Sequence, residues 1–127
     1  MNEINPVGWF EIYVDDIERA TKFYETVLNT ALVVLPNPND DMAMMTFPMS
    51  SEKMFGASGA LVKMKGVKAG GNSTIVYFSS IDCSREEARI ESAGGTINKS
   101  KTSIGEHGFM VLALDTEGNM IGIHSMK

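Results

Sequence analysis

Between Trp9 and Leu28 the chain changes its hydrophobic period once, at Asp15-Asp16, and that change dictates a strand running directly into a helix. In Trp9 to Val14 the residues Phe10, Ile12 and Val14 form one apolar face, while Trp9, Glu11 and Tyr13 fall on the other. From Ile17 onward the apolar residues Ile17, Ala20, Phe23, Tyr24, Val27 and Leu28 recur at three- and four-residue steps, the spacing of one helix face. Asp15 and Glu18 have the spacing of a capping box, so the helix is expected to start near Asp16 and to close around Asn29-Thr30.

The same device returns later in weaker form. Aligning the two copies at a constant offset sets Trp9 against Ile75, Glu11 against Tyr77, Tyr13 against Ser79, Asp16 against Asp82 and Arg19 against Arg85. The run 74–80 is β-rich, Ser84 and Glu87 suggest a second capping box, and Gly94-Gly95 stops the second helix near Ala93. Between the copies, strands are expected near 31–35, 42–47 and 58–64, separated by a turn cluster at 36–41 and a polar loop at 49–55. Residues 65–73 are rich in Gly and Lys, lack any period and read as a linker. Their glycines precede a strand and not a helix N-terminus, which weakens a phosphate-cradle reading. After the second helix, strands are expected at 96–99, 109–114 and 120–125, the last two joined by a hairpin at Asp115-Thr116-Glu117-Gly118-Asn119. Gly118-Asn119 there supply positive φ. The fold class is therefore α+β, with tandem βαβββ modules near 7–64 and 74–125. Each module, of roughly sixty residues, is too small to stand alone, so 1–127 reads as one domain.

Charge and composition narrow the partners. Sixteen acidic against eleven basic residues, a net charge of −5, argue against nucleic acid and against an anionic membrane surface. No apolar run approaches the ~18 residues of a membrane span, and the first twenty residues carry acids where a secretory signal has an apolar core. The expectation is a cytoplasmic protein. The single cysteine, Cys83, can form no internal disulfide and reads first as a small buried hydrophobe. Ten methionines suit either core gaps or an adaptable pocket.

The order of elements, the helix "VDDIERATKFYETVL" and the closing "DTEGNMIGIHS" hairpin resemble the vicinal oxygen chelate superfamily, and "WFEIYV" with "GALVK" makes the chain most similar to glyoxalase-related proteins without a settled substrate. The superfamily also includes bleomycin-resistance proteins and extradiol dioxygenases. The resemblance implies a cupped eight-stranded mixed sheet around a pocket, two main helices and a homodimer. It also implies a divalent metal held by His, Gln or Glu on the first and last strands of each module. Here those positions fall at Trp9, Ile75 and Gly122, and no Asp, Glu or His occurs between residues 57 and 65. Glu11 and His124 are the two candidate donors on these strands, with His107 or Glu106 nearby in sequence. A metal is disfavoured, because catalytic sites normally supply three protein ligands.

The candidate site is then Glu11 and His124 as catalytic groups, with Trp9, Tyr13, Ile75, Tyr77, Ser79, Gly122 and His107 lining a pocket for a small molecule. One reading is a lyase or isomerase on a small oxygen-rich metabolite, Glu11 acting as general base while His124 or Tyr13 polarises the substrate. Its alternative is a non-catalytic protein of the bleomycin-resistance type that holds an aromatic or amphipathic molecule against Trp9. A partner module with a vestigial pocket is the plainest possibility.

Overall fold

A computed structural model describes residues 5–36, 40–49 and 56–127, so most of the lead-in 1–6, the centre of the 36–41 turn and nearly all of the 49–55 loop lie outside the described residues. The chain runs β1 (Phe10–Tyr13), α1 (Ile17–Leu28), β2 (Val33–Val34), β3 (Met42–Thr46), β4 (Gly59–Met64), then β5 (Val76–Ser79), α2 (Cys83–Ile90), β6 (Thr96–Ser103), β7 (Phe109–Leu114) and β8 (Met120–Ser125). A 3-10 turn, Gly105–His107, joins β6 to β7. This is the α+β pattern of two βαβββ modules, and the eight strands divide into two four-stranded mixed sheets ordered β1-β4-β3-β2 and β5-β8-β7-β6. In each sheet the first strand lies parallel to the last, Phe10 opposite Gly59 and Tyr77 opposite Gly122, and the remaining pairs are antiparallel. Gly59 makes the first pairing possible, since a Cβ there would stand 2.4 Å from the Phe10 carbonyl oxygen and 2.5 Å from its ring.

Both helix starts differ from the expected capping boxes. Asp16 is the N-cap of α1, in extended backbone, and its carboxylate accepts the Arg19 amide at 3.0 Å. The third helical residue is Arg19 and not an acid, so the reciprocal half of a box is missing. Asp15 instead accepts the Ala69 amide. In α2 the N-cap is Asp82, which takes the Ser84 amide, while Glu87 accepts the Lys101 amide. The C-terminus of α1 does close at Asn29, whose left-handed backbone (φ 52°) suits the short polar side chain of Asn. Strand β6 runs four residues beyond expectation. Two register shifts against β7 carry it past the polar stretch Asn98-Lys99-Ser100, whose uniform exposure hides the strand period.

The core lies between the two helices and one face of each sheet. Helix α1 buries Ala20, Phe23, Tyr24 and Val27, and α2 buries Cys83 and Ile90, against Ile12, Leu61, Val111, Ala113, Ile121 and Ile123. Phe10 and Phe78 meet edge to face with centroids 5.9 Å apart, tying the two sheets together at β1 and β5, and Phe47 and Tyr24 complete the aromatic cluster. Each such side chain contributes roughly 1.5–3 kcal/mol when fully buried.

A polar latch reinforces this contact. In the β7–β8 hairpin the Asp115 carboxylate accepts the amides of Glu117 (2.8 Å) and Asn119 (2.9 Å) and the hydroxyl of the buried Tyr24. Of the two residues expected at positive φ, only Gly118 adopts it (φ 83°). The turn also reaches across to the first module. Glu117 accepts both the Asp15 and Asp16 amides at 2.9 Å and pairs with Arg19. Asn119 donates to the Tyr13 carbonyl and accepts the Gly70 amide. Among the described residues no helix is long and apolar enough to cross a membrane.

Candidate ligand site

The helices pack on one side and leave the opposite face of each sheet without a helix; on that face Trp9 and Tyr77 are exposed, while Ala60 and Val62 are buried beside Glu11 and Tyr13. Period-two alternation places Trp9, Glu11 and Tyr13 together on that face. Glu11 sits between the two aromatic residues: the Trp9 indole Nε1 donates to Oε2 at 3.2 Å, and the Tyr13 hydroxyl donates to Oε1 at 3.0 Å. One carboxylate thus fixes two rings. That hydrogen bond, then burial, then the negative charge of Glu11 raise the pKa of the Tyr13 phenol, so it remains a donor across the physiological range.

Glu11 and Tyr13 line a cavity of about 340 Å³ at the seam where β1, the edge of the first sheet, approaches β5 and the start of β8. Phe10, Val76 and Ile121 give it apolar lining, and residues 67–74 contribute Lys68, Asn72 and Ser73. Three bonds to the rest of the chain position this segment, Ala69 N–H to Asp15, Gly70 N–H to Asn119 and the Asn72 side-chain amide to the Met120 carbonyl, and Asn72 also donates within the segment to the Thr74 carbonyl. The latch that joins the modules therefore also holds the wall of the cavity. Sequence reading missed Lys68, Asn72 and Met120 as lining residues. The available signal was the length of the linker, which has to cross the end of β1 to reach β5.

The other expected residues form a separate group. Trp9 adjoins the cavity through its bond to Glu11 but does not line it, and neither do Ile75, Tyr77, Ser79, Gly122, His124 or His107. On the second sheet Tyr77 lies opposite Gly122 and Ser79 opposite His124. The Tyr77 ring covers Gly122 so closely that a Cβ there would fall 2.4 Å from it. His124 Nε2 bonds the His107 carbonyl at 2.7 Å, which fastens β8 to the 3-10 turn, and the His107 ring itself is exposed, 3.9 Å from Glu106.

The donor set does not fit the metal that the resemblance implies. Among the described residues no three of His, Cys, Asp and Glu stand together in a way that could hold an ion. Glu11 is already engaged by Trp9 and Tyr13, and His124 by a backbone carbonyl.

Paired βαβββ modules with this topology are the vicinal oxygen chelate fold. Residues 7–48 match the family model described as bleomycin resistance protein-like N-terminal. Glyoxalase I from Zea mays superposes with a TM-score of 0.76 at 19% identity, over 95% of this chain and 46% of that one, so the chain spans about half the length of the maize enzyme. An antibiotic binding protein from a Streptomyces species superposes at 0.70 with 21% identity, over 98% of both chains. A member of the glyoxalase, bleomycin resistance protein and dioxygenase superfamily from Sphaerobacter thermophilus gives 0.72 at 21%, over 96% of this chain and 98% of that one. No curated protein matches the sequence. The chain shares the fold of these proteins.

Proposed function

We propose that the protein binds a small amphipathic molecule reversibly at the seam cavity, against the face carrying Trp9, Glu11 and Tyr13. The observation that carries this reading is the Glu11 carboxylate, clamped between two aromatic donors, in the lining of a cavity that is otherwise largely apolar. Such a combination of apolar walls with a few oriented polar groups is general to small-ligand sites. A likeness in fold to an antibiotic binding protein, over nearly the full length of both chains, supports the same reading.

A second reading is favoured by one feature. Glu11 is exposed and has no cationic partner among the described residues, so it could accept a proton from a bound substrate as a metal-free general base. The two separate cleanly. Trp9 is the single tryptophan, so its emission reports occupancy directly while product formation is followed in the same sample. A panel of amphipathic compounds that shifts Trp9 emission saturably and is recovered unchanged supports binding; conversion of any of them, lost in Glu11→Gln, supports catalysis. No saturable response across the panel would overturn the binding reading.

The helix-free faces, with Trp9 and Tyr77 exposed on them, lead us to propose a homodimer formed by pairing these sheet surfaces. Multi-angle light scattering giving the mass of one chain at micromolar concentration would refute it.

A further inference from the structure

The seam cavity contains two opposite charges that do not meet. Glu11 lines one part of it, with both carboxylate oxygens held by neutral donors, and Lys68 lines another from the covering segment. Among the described residues neither side chain has an ion-pair partner, although Arg19 with Glu117 and Lys101 with Asp82 show that charges elsewhere in this chain do pair. The same cavity is lined by apolar surface from Phe10, Val76 and Ile121, and Asn72 and Ser73, close to Lys68 in the sequence, add an amide and a hydroxyl to the lining.

From this arrangement we infer that the cavity selects a small amphipathic zwitterion, such as an amino acid with an apolar side chain, its ammonium group at Glu11 and its carboxylate at Lys68. The inference rests on the binding reading above and specifies the ligand class for the same cavity. A neutral ligand would leave both charges unmatched, and an ion of either sign would match one and leave the other. A zwitterion satisfies both at once, and the Trp9 and Tyr13 donors hold Glu11 in place so that little ordering is needed on binding. The 340 Å³ cavity lies within the range of about 300–1,000 Å³ usual for small-ligand sites. Both charged side chains are exposed, so each pairing is screened and is expected to change affinity by about fivefold.

Four probes sharing one phenyl group test this: phenylalanine, phenethylamine, hydrocinnamate and phenylethanol, titrated against the intact chain with Trp9 emission and calorimetry as readouts. The zwitterion is expected to bind tightest. Lys68→Met should weaken phenylalanine and hydrocinnamate by about fivefold while leaving phenethylamine unchanged, and Glu11→Gln should do the converse. Equal binding of all four, or a Lys68→Met variant indistinguishable from the parent, overturns the zwitterion inference and leaves the small-ligand reading standing. Binding by none of the four also overturns it, while the broader panel above separately decides the parent reading.

Discussion

Arg19 and Glu117 lie 98 residues apart in sequence and meet in a two-point ion pair, Nε to Oε2 at 2.7 Å and Nη2 to Oε1 at 2.9 Å. The Glu117 side chain is fully enclosed while that of Arg19 is half exposed. The acid is thus the member that the fold cannot release to water, and its two bonds to the Asp15 and Asp16 amides fix the start of α1.

Glu117→Gln is expected to destabilise the chain by about 2–4 kcal/mol, because it removes a buried charge that five donors were arranged to meet. Arg19→Met should cost less, since the amides and Thr116 still serve the carboxylate. Urea denaturation of the two single variants and the double variant gives the coupling energy. A coupling near zero would show that the ion pair adds nothing beyond the backbone bonds.

Acid should destabilise the protein in a defined window. Burial alone pushes the Glu117 carboxyl up, but the Arg19 guanidinium, the Asp16 amide, the Thr116 hydroxyl and the Asp15 amide outweigh it and hold the folded value at about 2, against 4.5 for the unpaired group. A folded pKa below the unfolded one means that the stabilisation is complete above about pH 4.5 and is lost as pH falls toward 2. Over that interval the loss from this residue is about 3 kcal/mol, and Glu117→Gln should flatten it. Denaturation midpoints at several pH values test the slope, and an unchanged slope in the variant would remove Glu117 as its source.

Tyr13 offers an independent test of the Glu11 clamp. Its phenol is raised above 10.0 chiefly by donating to Glu11, so Glu11→Gln should bring the Tyr13 titration back toward that value. NMR of the labelled ring reads the midpoint directly. A midpoint that does not move would mean that the carboxylate and the hydroxyl are not bonded in solution.

Gly122→Ala is expected to destabilise the second sheet by about 1–3 kcal/mol, the usual range for overpacking, because its methyl group collides with the Tyr77 ring. Pairing it with Tyr77→Ala should recover part of that loss. Thermal melts of the three variants suffice, and additive effects would show that the ring moves aside freely.

What the sequence made legible follows from where its period is strong. The switch at Asp15-Asp16 located β1 and α1 because Phe10, Ile12, Phe23, Tyr24 and Val27 all face one core. The hairpin at Asp115 to Asn119 was legible as a turn, since Asp, Gly and Asn act locally there. Its second role was not, because Asp15, Asp16 and Arg19, which Glu117 bonds, lie on the opposite module and no local pattern names them. The candidate site divided in the same way. Trp9, Glu11 and Tyr13 came together by alternation along one strand, whereas bringing in His124 required the relative placement of two separate sheets. Lys68 and Asn72 were hidden in a Gly-rich segment without period, which becomes a wall only through bonds to Asp15, Asn119 and Met120.

The ring that shields Gly122 also governs what this chain could become. A donor side chain introduced at residue 122 would have to claim the volume Tyr77 now fills, so any such replacement begins with a clash. Clearing the ring first uncovers the backbone at Gly122, which the half-exposed Tyr77 ring now shields. Each change taken singly lowers fitness to fold, and only the two together restore a filled surface with a donor on it. Metal-dependent chemistry on this sheet thus lies across a valley of at least two coupled steps, and a library that samples one position at a time would not cross it.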